Sequence, residues 1–446
     1  MLPIEPNDKE QETGKPMTRR QMLASLGAAG VLLAAGAGFP GEARAATTIP
    51  VIDTSFYYNV KDYGAQGNGR YGQDDAPYIQ AAINAASADK GGTVYLPPGD
   101  YVIKSSLFMR SKVHLLGAGA GVTIIRSIDT NLHMIKSGSD SKHFSIDSLT
   151  FEGSGIVSTS LSSIFECGIY IFDSEHVRIN RCLFNRVTKG IHVERSQHVN
   201  VTNCIFTLIV GTENPNEGYG IVVEGGSNNI LQTNKFKNVN KNAIYVTAGS
   251  SYSIIADNVI EGCKDAAILV TSKLKACSYH LIQGNLISGA NLGDQEFSCT
   301  FGIRLKDYCT YNTVVNNIIS RSASGGIQLD AADNGGDDRP FGNTVTSNTI
   351  NTTPLGISVF NGDANTVKSN EVRWTETGIL LDTVGVGSAS SAKQNIVTGN
   401  SIFQSSKAAV RVGSARCQSN TVFGNAGFDN IAGLSDSGTD TATVGF

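Results

Sequence analysis

One small pattern recurs ten times between Gly168 and Asn425, and it leaves the chain very few folds. Each copy opens with a small residue and an apolar β-branched one, as in Gly168-Ile169, Gly190-Ile191, Ala243-Ile244, Gly302-Ile303 and Ala409-Val410. Each then reaches two anchors five residues apart. The first are His176/Arg181 and His198/Asn203, followed by Asn229/Asn234, Ser253/Asn258 and His280/Asn285, then paired asparagines from Asn312/Asn317 to Asn420/Asn425. Copies start 22 to 35 residues apart. A unit that short cannot bury its apolar face alone, so successive units must stack as a solenoid.

Ile169-x-Ile171, Ile191-x-Val193 and Ile327-x-Leu329 alternate with period two. A helical repeat would space apolar residues at i, i+3, i+4 over ~10 positions, and the repeat contains no such run. Asparagine at a fixed corner suits a coiling chain, because it tolerates left-handed backbone and can hydrogen-bond to the copy stacked on it. The expected fold is therefore all-β: one parallel β-helix filled with Ile, Val and Leu.

The length of 446 residues would by itself imply several domains, but a solenoid lengthens without forming new cores. Charged residues are only 17% and glycines number 49, which fits a turn-rich β chain. A net charge of −4 with no basic stripe argues against nucleic acid as a partner, while a local basic patch could still hold an anionic polymer. Thr18-Arg19-Arg20-Gln21-Met22-Leu23 is a twin-arginine motif, followed by an Ala/Gly-rich apolar run and the cleavage pattern Ala43-Arg44-Ala45. Residues 1–45 thus read as a twin-arginine signal peptide, 46–57 as a linker and 58–446 as the β-helix domain. The protein is expected to be exported and to leave the membrane after cleavage, since no later run is long and apolar enough to span a bilayer. Cys167, Cys182, Cys204, Cys263, Cys277, Cys299, Cys309 and Cys417 lack zinc or compact disulfide spacing. Buried free thiols are expected, with Cys182 stacked on Cys204 and Cys299/Cys309 the one pair to test for a bridge. A monomer and a side-by-side homotrimer are equally compatible with the sequence.

Ahead of the repeats, Asp74 or Asp75 can cap a short helix in which Ile79, Ala82, Ile83 and Ala86 form one apolar face. Such a helix would cover the open end of the solenoid. Together with Tyr58-Asn59-Val60-Lys61-Asp62-Tyr63-Gly64-Ala65-Gln66-Gly67-Asn68-Gly69 and Gly91-Gly92-Thr93-Val94-Tyr95-Leu96-Pro97-Pro98-Gly99-Asp100-Tyr101-Val102-Ile103, it resembles the N-terminal part of the pectate-lyase superfamily. That group of right-handed β-helix proteins includes polysaccharide lyases, polygalacturonase-like hydrolases, alginate C5-epimerases and phage tailspike depolymerases. The resemblance implies a right-handed helix and a polysaccharide substrate, but not a reaction. The hydrolases' Asn-Thr-Asp, Asp-Asp and Gly-His-Gly strands are missing. The epimerases' Tyr-Gly-Phe-Asp-Pro-His strand reads Cys167-Gly168-Ile169-Tyr170-Ile171-Phe172 here, so epimerase chemistry is not expected and no catalytic residue transfers by position.

Unequal gaps show where material was inserted. The second anchor usually precedes the next small residue by eight or nine positions, but by 17 from Asn203 to Gly220 and from Asn285 to Gly302. The small residue precedes the next anchor by 17 from Gly326 to Asn343 and from Gly378 to Asn395. Insertions in a repeat protein map to loops on one face, often the binding face. The small-Ile strand is thus the floor of a groove, walled by residues 204–219 and 286–301 on one side and 331–342 and 383–394 on the other.

Two patches of outward floor residues carry chemistry. The first is His192, Glu194, Glu224 and Tyr245. Glu194 and Glu224 fall in equivalent places of adjacent turns, which allows ~5 Å between carboxylates, the spacing of retaining glycosidases. One of the two would then be kept protonated as a general acid. Two solvated surface glutamates are the plainer alternative. The second patch is Arg304, Lys306 and Asp330, with Asp333, Asp337, Asp338 and Arg339 from the adjoining wall and Asp294 and Glu296 in the other. There Lys306 or Arg304 would act as base in β-elimination on a uronic-acid polymer, Asp330 would orient it, and Asp333, Asp337 and Asp338 could hold Ca2+. A structural Lys306–Asp330 ion pair is the alternative. Arg339, Tyr245 and Phe360 are expected to touch the sugar chain. Elimination is the leading expectation, hydrolysis through Glu194 and Glu224 the second, and a non-catalytic carbohydrate-binding or cell-surface solenoid the third.

Overall fold

The computed structural model describes residues 57–129, 131–157, 166–212, 217–289, 297–332, 338–385 and 390–444. The expected signal peptide, nearly all of the linker, and Asp294, Glu296, Asp333 and Asp337 lie outside these residues. No helix among the described residues is long and apolar enough to cross a membrane.

Every strand pairing recorded between neighbouring turns is parallel, and the chain coils as a right-handed β-helix. One face is a sheet that runs from Tyr57–Asn59 through Glu175–Asn180 and Thr313–Val315 to Ala442–Val444. The other two faces merge into a second sheet, because Thr349–Phe360 and Glu371–Asp382 bend continuously from one face to the next. The helix Ala76–Ala88 buries Ile79, Ala82, Ile83 and Ala86 at the N-terminal end, as its apolar face predicts. Asp75 starts this helix, but its carboxylate accepts from the Gln66 and Gly67 amides, while Asp74 accepts from the Ala76 amide.

The core is a set of columns with one residue per turn. Phe151, Phe184, Phe206 and Phe236 stack with ring centroids 5.0, 4.8 and 4.7 Å apart, matching the ~4.8 Å strand spacing. The column continues as Ile260, Ile287, Ile319 and Ile350, all buried. It also explains the small residue that opens each floor strand. A Cβ on Gly302 would lie 2.4 Å from Ile319 Cγ2 and 2.7 Å from the Gly326 carbonyl oxygen.

Two buried asparagine ladders line the corners. In one, the side chains of Asn234, Asn258, Asn285, Asn317, Asn348, Asn370, Asn400 and Asn425 bond to each other in sequence. In the other, Asn312, Asn343, Asn365, Asn395 and Asn420 do the same. The ladder residues do not have left-handed backbone. That conformation belongs to the residue before each, such as Asn228, Asp257, Asn316 and Ser347. The reading of the first two turns is corrected accordingly. His176, Arg181, His198 and Asn203 occupy the left-handed corners, and the ladder positions are held by Val177, Cys182, Val199 and Cys204. All eight cysteines are buried and free. The close thiol pair is Cys263 and Cys299, with sulfurs 2.7 Å apart, whereas Cys309 lies opposite Cys277.

Candidate functional site

The floor forms as the alternation predicts. Strand register places Lys136, Tyr170, His192, Val222, Tyr245, Leu269, Arg304, Gln328, Ser358, Leu380 and Arg411 in one outward column. Phe172, Glu194, Glu224, Thr247, and further on Thr271, Lys306, Asp330, Phe360 and Asp382, form the column beside it.

Around His192 these columns condense into a cluster. His192 Nε2 lies 3.1 Å from Glu224 Oε2 in the next turn, and the Tyr170 hydroxyl donates to Glu194 Oε2 at 2.6 Å. The His192 and Tyr170 rings are 5.2 Å apart. One ligand atom each from His192, Glu194 and Glu224 falls within 4.8 Å of the others, the one such grouping among the described residues. One imidazole and two carboxylates suit a divalent ion chemically. In the present geometry the same atoms are satisfied by Tyr170 and by each other.

The electrostatics correct the expected pairing of acids. Glu224 is held below the ordinary glutamate range, first by the His192 hydrogen bond and then, against some burial, by the charges of His192 and Lys189. This direction is opposite to the one that repulsion between two glutamates would give Glu224 as a proton donor. Tyr170 is pushed well above the ordinary tyrosine value by burial and by its bond to Glu194, so its hydroxyl keeps its proton. His133, 4.8 Å from the Tyr170 ring, is pushed down to about 4 by burial and by Lys136, and is neutral at pH 7.

Cationic and aromatic side chains border this end of the floor. Lys189 pairs with Glu217 at 3.1 Å, which fastens the end of the first wall loop to the floor. Tyr219 stacks on Tyr245 at 5.0 Å, with Lys189 and Lys241 over the Tyr219 ring. Tyr245 is half-buried on the outward column of the floor, and burial raises its hydroxyl above the ordinary tyrosine value. The sequence reading missed Tyr170, Lys136, Lys189 and His133 as members of the cluster. Tyr170 was already an outward floor residue one turn before His192, and continuing that column backward would have reached Lys136.

The second patch is built differently from the expectation. Arg304 takes Asp330 in a two-point bond, with Nε to Oδ1 at 2.7 Å and a terminal nitrogen to Oδ2 at 2.6 Å. Phe301 lies 4.9 Å beneath the guanidinium. Burial works against the Arg304 charge, but Asp330 overcomes it and raises the guanidinium further. Arg304 is thus a fixed cation and cannot be the base. Asp330 orients Arg304 rather than Lys306, because the planar fork reaches diagonally across one rung and uses both oxygens. Lys306 makes no ion pair among the described residues. Arg339 is engaged by Asp363 at 3.2 Å and Ser391 at 2.7 Å, so it ties one wall loop to the other. Phe360 sits beside Asp330 on the next rung. Of the calcium candidates, Asp333 and Asp337 lie outside the described residues, and Asp338 is half-buried.

Comparisons with known proteins agree with this architecture. Over 109 residues the chain is 42% identical to the mannuronan C5-epimerase AlgE6 of Azotobacter vinelandii, covering 22% of this chain and 12% of the epimerase. A 39% match of the same length links it to alginate lyase 7 of that organism, again over 22% of this chain and 12% of the relative. The matched segments are thus a small part of both proteins. In structure, PfbA, a surface adhesin of Streptococcus pneumoniae, superposes with a TM-score of 0.63 at 20% identity over 79% of this chain and 91% of the adhesin, which speaks to the fold alone. Residues 277–386 match the profile described as periplasmic copper-binding protein (NosD). The profile described as rhamnogalacturonase A/epimerase, pectate lyase-like, matches residues 57–280, half of the chain, and the protein belongs to that family.

Proposed function

We propose that this protein is an exported polysaccharide lyase that cleaves a uronate-containing polymer by β-elimination at the Tyr170–His192–Glu194–Glu224 cluster. The observation that carries this reading is His192 hydrogen-bonded to Glu224, whose carboxylate that bond favours, with a protonated Tyr170 hydroxyl on its other side. Base and acid are thereby set within one sugar unit of each other. Glu224 fixes the orientation of the imidazole, as the carboxylate of a catalytic triad does. His192 removes the proton at C5, next to the uronate carboxylate. The carbanion's electron pair forms the C4–C5 double bond, the C4–O4 bond breaks, and Tyr170 gives its proton to the departing oxygen. Lys136 lies one rung before Tyr170 and Lys189 opens the strand that carries His192, and both offset the charge that builds on the uronate carboxylate. Arg304 and Lys306 stand four rungs away, ~19 Å along the floor, and bind a carboxylate further along the same chain. The names of the epimerase and lyase relatives make mannuronan and alginate the first polymers to try.

The test is incubation with polymannuronate, polyguluronate, polygalacturonate and a neutral glucan, with and without chelator, reading the ultraviolet absorbance of unsaturated uronate. His192→Gln and Tyr170→Phe should each lose ~10²–10⁴-fold in kcat. Unsaturated product that persists undiminished in His192→Gln would refute the assignment. A second reading, hydrolysis through Glu194 and Glu224, is favoured by the approach of the two carboxylates within 4.8 Å. It predicts new reducing ends with no unsaturation, and loss of activity in Glu194→Gln. Binding with no product from any polymer would leave the non-catalytic surface solenoid.

A further inference from the structure

A second constellation lies away from the floor, on the sheet that includes Glu175–Asn180 and Gln197–Thr202. Here the left-handed corner carries Lys112, His143, His176, His198 and Asn228 in successive turns. Beside that column, register places His114, Ser145, Arg178 and Asn200 on the outward face of the sheet. The two columns enclose an open cleft of about 560 Å³. No carboxylate lines it among the described residues. Six of its side chains are cationic or can become so, in a protein whose net charge is −4.

The three corner imidazoles form a ladder. His143 and His176 stack at 4.8 Å with planes 9° apart, and His176 and His198 at 4.9 Å with planes 7° apart. This geometry excludes a shared metal ion. Two ligating nitrogens ~2.1 Å from one ion are at most about 4.2 Å apart, and parallel rings point their corresponding nitrogens alongside each other, not at one centre. It suits instead a row of separate acceptors with the same repeat as the solenoid. The charged groups facing the row are Lys112, His114 and Arg178 inside the cleft. At its edge stands Glu175, which is shared by His176 at 3.3 Å and Lys142 at 3.5 Å, with Asp140 on Lys142 at 3.1 Å.

We infer that this cleft is a second, non-catalytic binding site for a linear acidic polysaccharide, whose successive anionic groups lie along the His143–His176–His198 ladder, with Lys112 at one end of the row and Arg178 beside its middle. The repeat favours a polysaccharide over duplex nucleic acid, whose strands carry one phosphate per ~3.4 Å of axis. Imidazoles gain charge between pH 8 and pH 5, so binding at this site takes up protons and tightens toward acid. The site is independent of the floor chemistry, and the two ideas fail separately.

The test is binding of the full chain to immobilised polymannuronate at pH 5.5 and pH 8, with duplex DNA and neutral dextran as competitors. Asparagine already occupies the next corner, at Asn228, with the same left-handed backbone. The triple variant H143N/H176N/H198N therefore changes the side chains without straining the turns, and the exposed Arg178→Gln serves as a single-site check. Wild type should bind at least tenfold tighter at pH 5.5, with calorimetry in two buffers of different ionisation enthalpy recording proton uptake. The triple variant should lose that gain, and Arg178→Gln should weaken binding at both pH values. Neither variant should alter turnover of a short oligosaccharide at the floor. Equal binding by the triple variant, no pH dependence in wild type, or stronger capture by DNA than by polymannuronate would each overturn the inference.

Discussion

Asn317 offers the sharpest test of what holds the solenoid together. Its Oδ1 accepts from the Asn285 amide at 3.0 Å and from Asn285 Nδ2 at 2.8 Å. Its Nδ2 donates to the Ile282 and Val315 carbonyls and to Asn348 Oδ1, at 3.0, 3.1 and 2.9 Å. The Asn317 side chain is fully buried. Asn317→Ala strands the Asn285 amide without an acceptor, at ~1–3 kcal/mol, and takes one donor from each of two carbonyls, which tolerate the loss better. With the small cavity left behind, the total is about 3–5 kcal/mol. Asn317→Asp is a stricter probe. It turns a donor into an oxygen facing three other oxygens, so the acid must remain protonated in the folded chain. Keeping it so costs about 1.4 kcal/mol for each pH unit above the ordinary aspartate value, hence ~4 kcal/mol at pH 7 beyond any cost at pH 4. Repeat arrays do not always unfold in one step, so urea midpoints should be paired with hydrogen exchange at the Asn285 amide. The aspartate variant should be far weaker at pH 7 than at pH 4, while the alanine variant's deficit stays constant with pH. Equal aspartate deficits at both pH values, or an alanine cost under ~1 kcal/mol, would show that the ladder is not a principal support.

Three further outcomes follow from single sites. Glu166 is buried and raised to about 7, chiefly by burial and partly offset by bonds from Ser154. Its folded value exceeds the unfolded one, so stability is full below pH ~4.5 and falls by about 3 kcal/mol as pH rises to 7. Glu166→Gln should flatten that slope in thermal melts, and parallel curves for variant and wild type would contradict it. Glu224→Gln should lower kcat ~100-fold with little change in KM, because it unseats His192 without touching distal sugar contacts, and a change in KM alone would point to a binding role. Cys263 and Cys299, with sulfurs 2.7 Å apart, should be the first thiols joined under oxidising conditions. Non-reducing peptide mapping should find that bridge, and a Cys299–Cys309 bridge in its place would count against the described packing.

The repeat made the floor legible because β alternation is rigid: once Ile191 and Val193 face in, His192 and Glu194 must face out, and parallel register carries that assignment to every turn. It could not say which outward neighbours bond, since that depends on side-chain reach across a rung. Arg304, long and forked, claims both oxygens of Asp330 and leaves Lys306 aside, while Glu224 bonds to His192 and Glu194 to Tyr170. The misplaced anchors have a related cause. Histidine and asparagine both accept left-handed backbone, so His176 and His198 looked like early forms of a ladder that in fact runs one residue later. The corrected frame has a functional consequence. A ladder position is fully buried and buys only stability, but a left-handed corner turns its side chain to solvent at every rung. Moving His176 and His198 by one place therefore takes them out of the structural ledger and sets them, with His143, on the surface as a periodic row of ligand-facing groups. A solenoid presents such rows on each of its faces, so a second linear polymer site away from the groove needs no new fold, only the right residue at one corner of three consecutive turns.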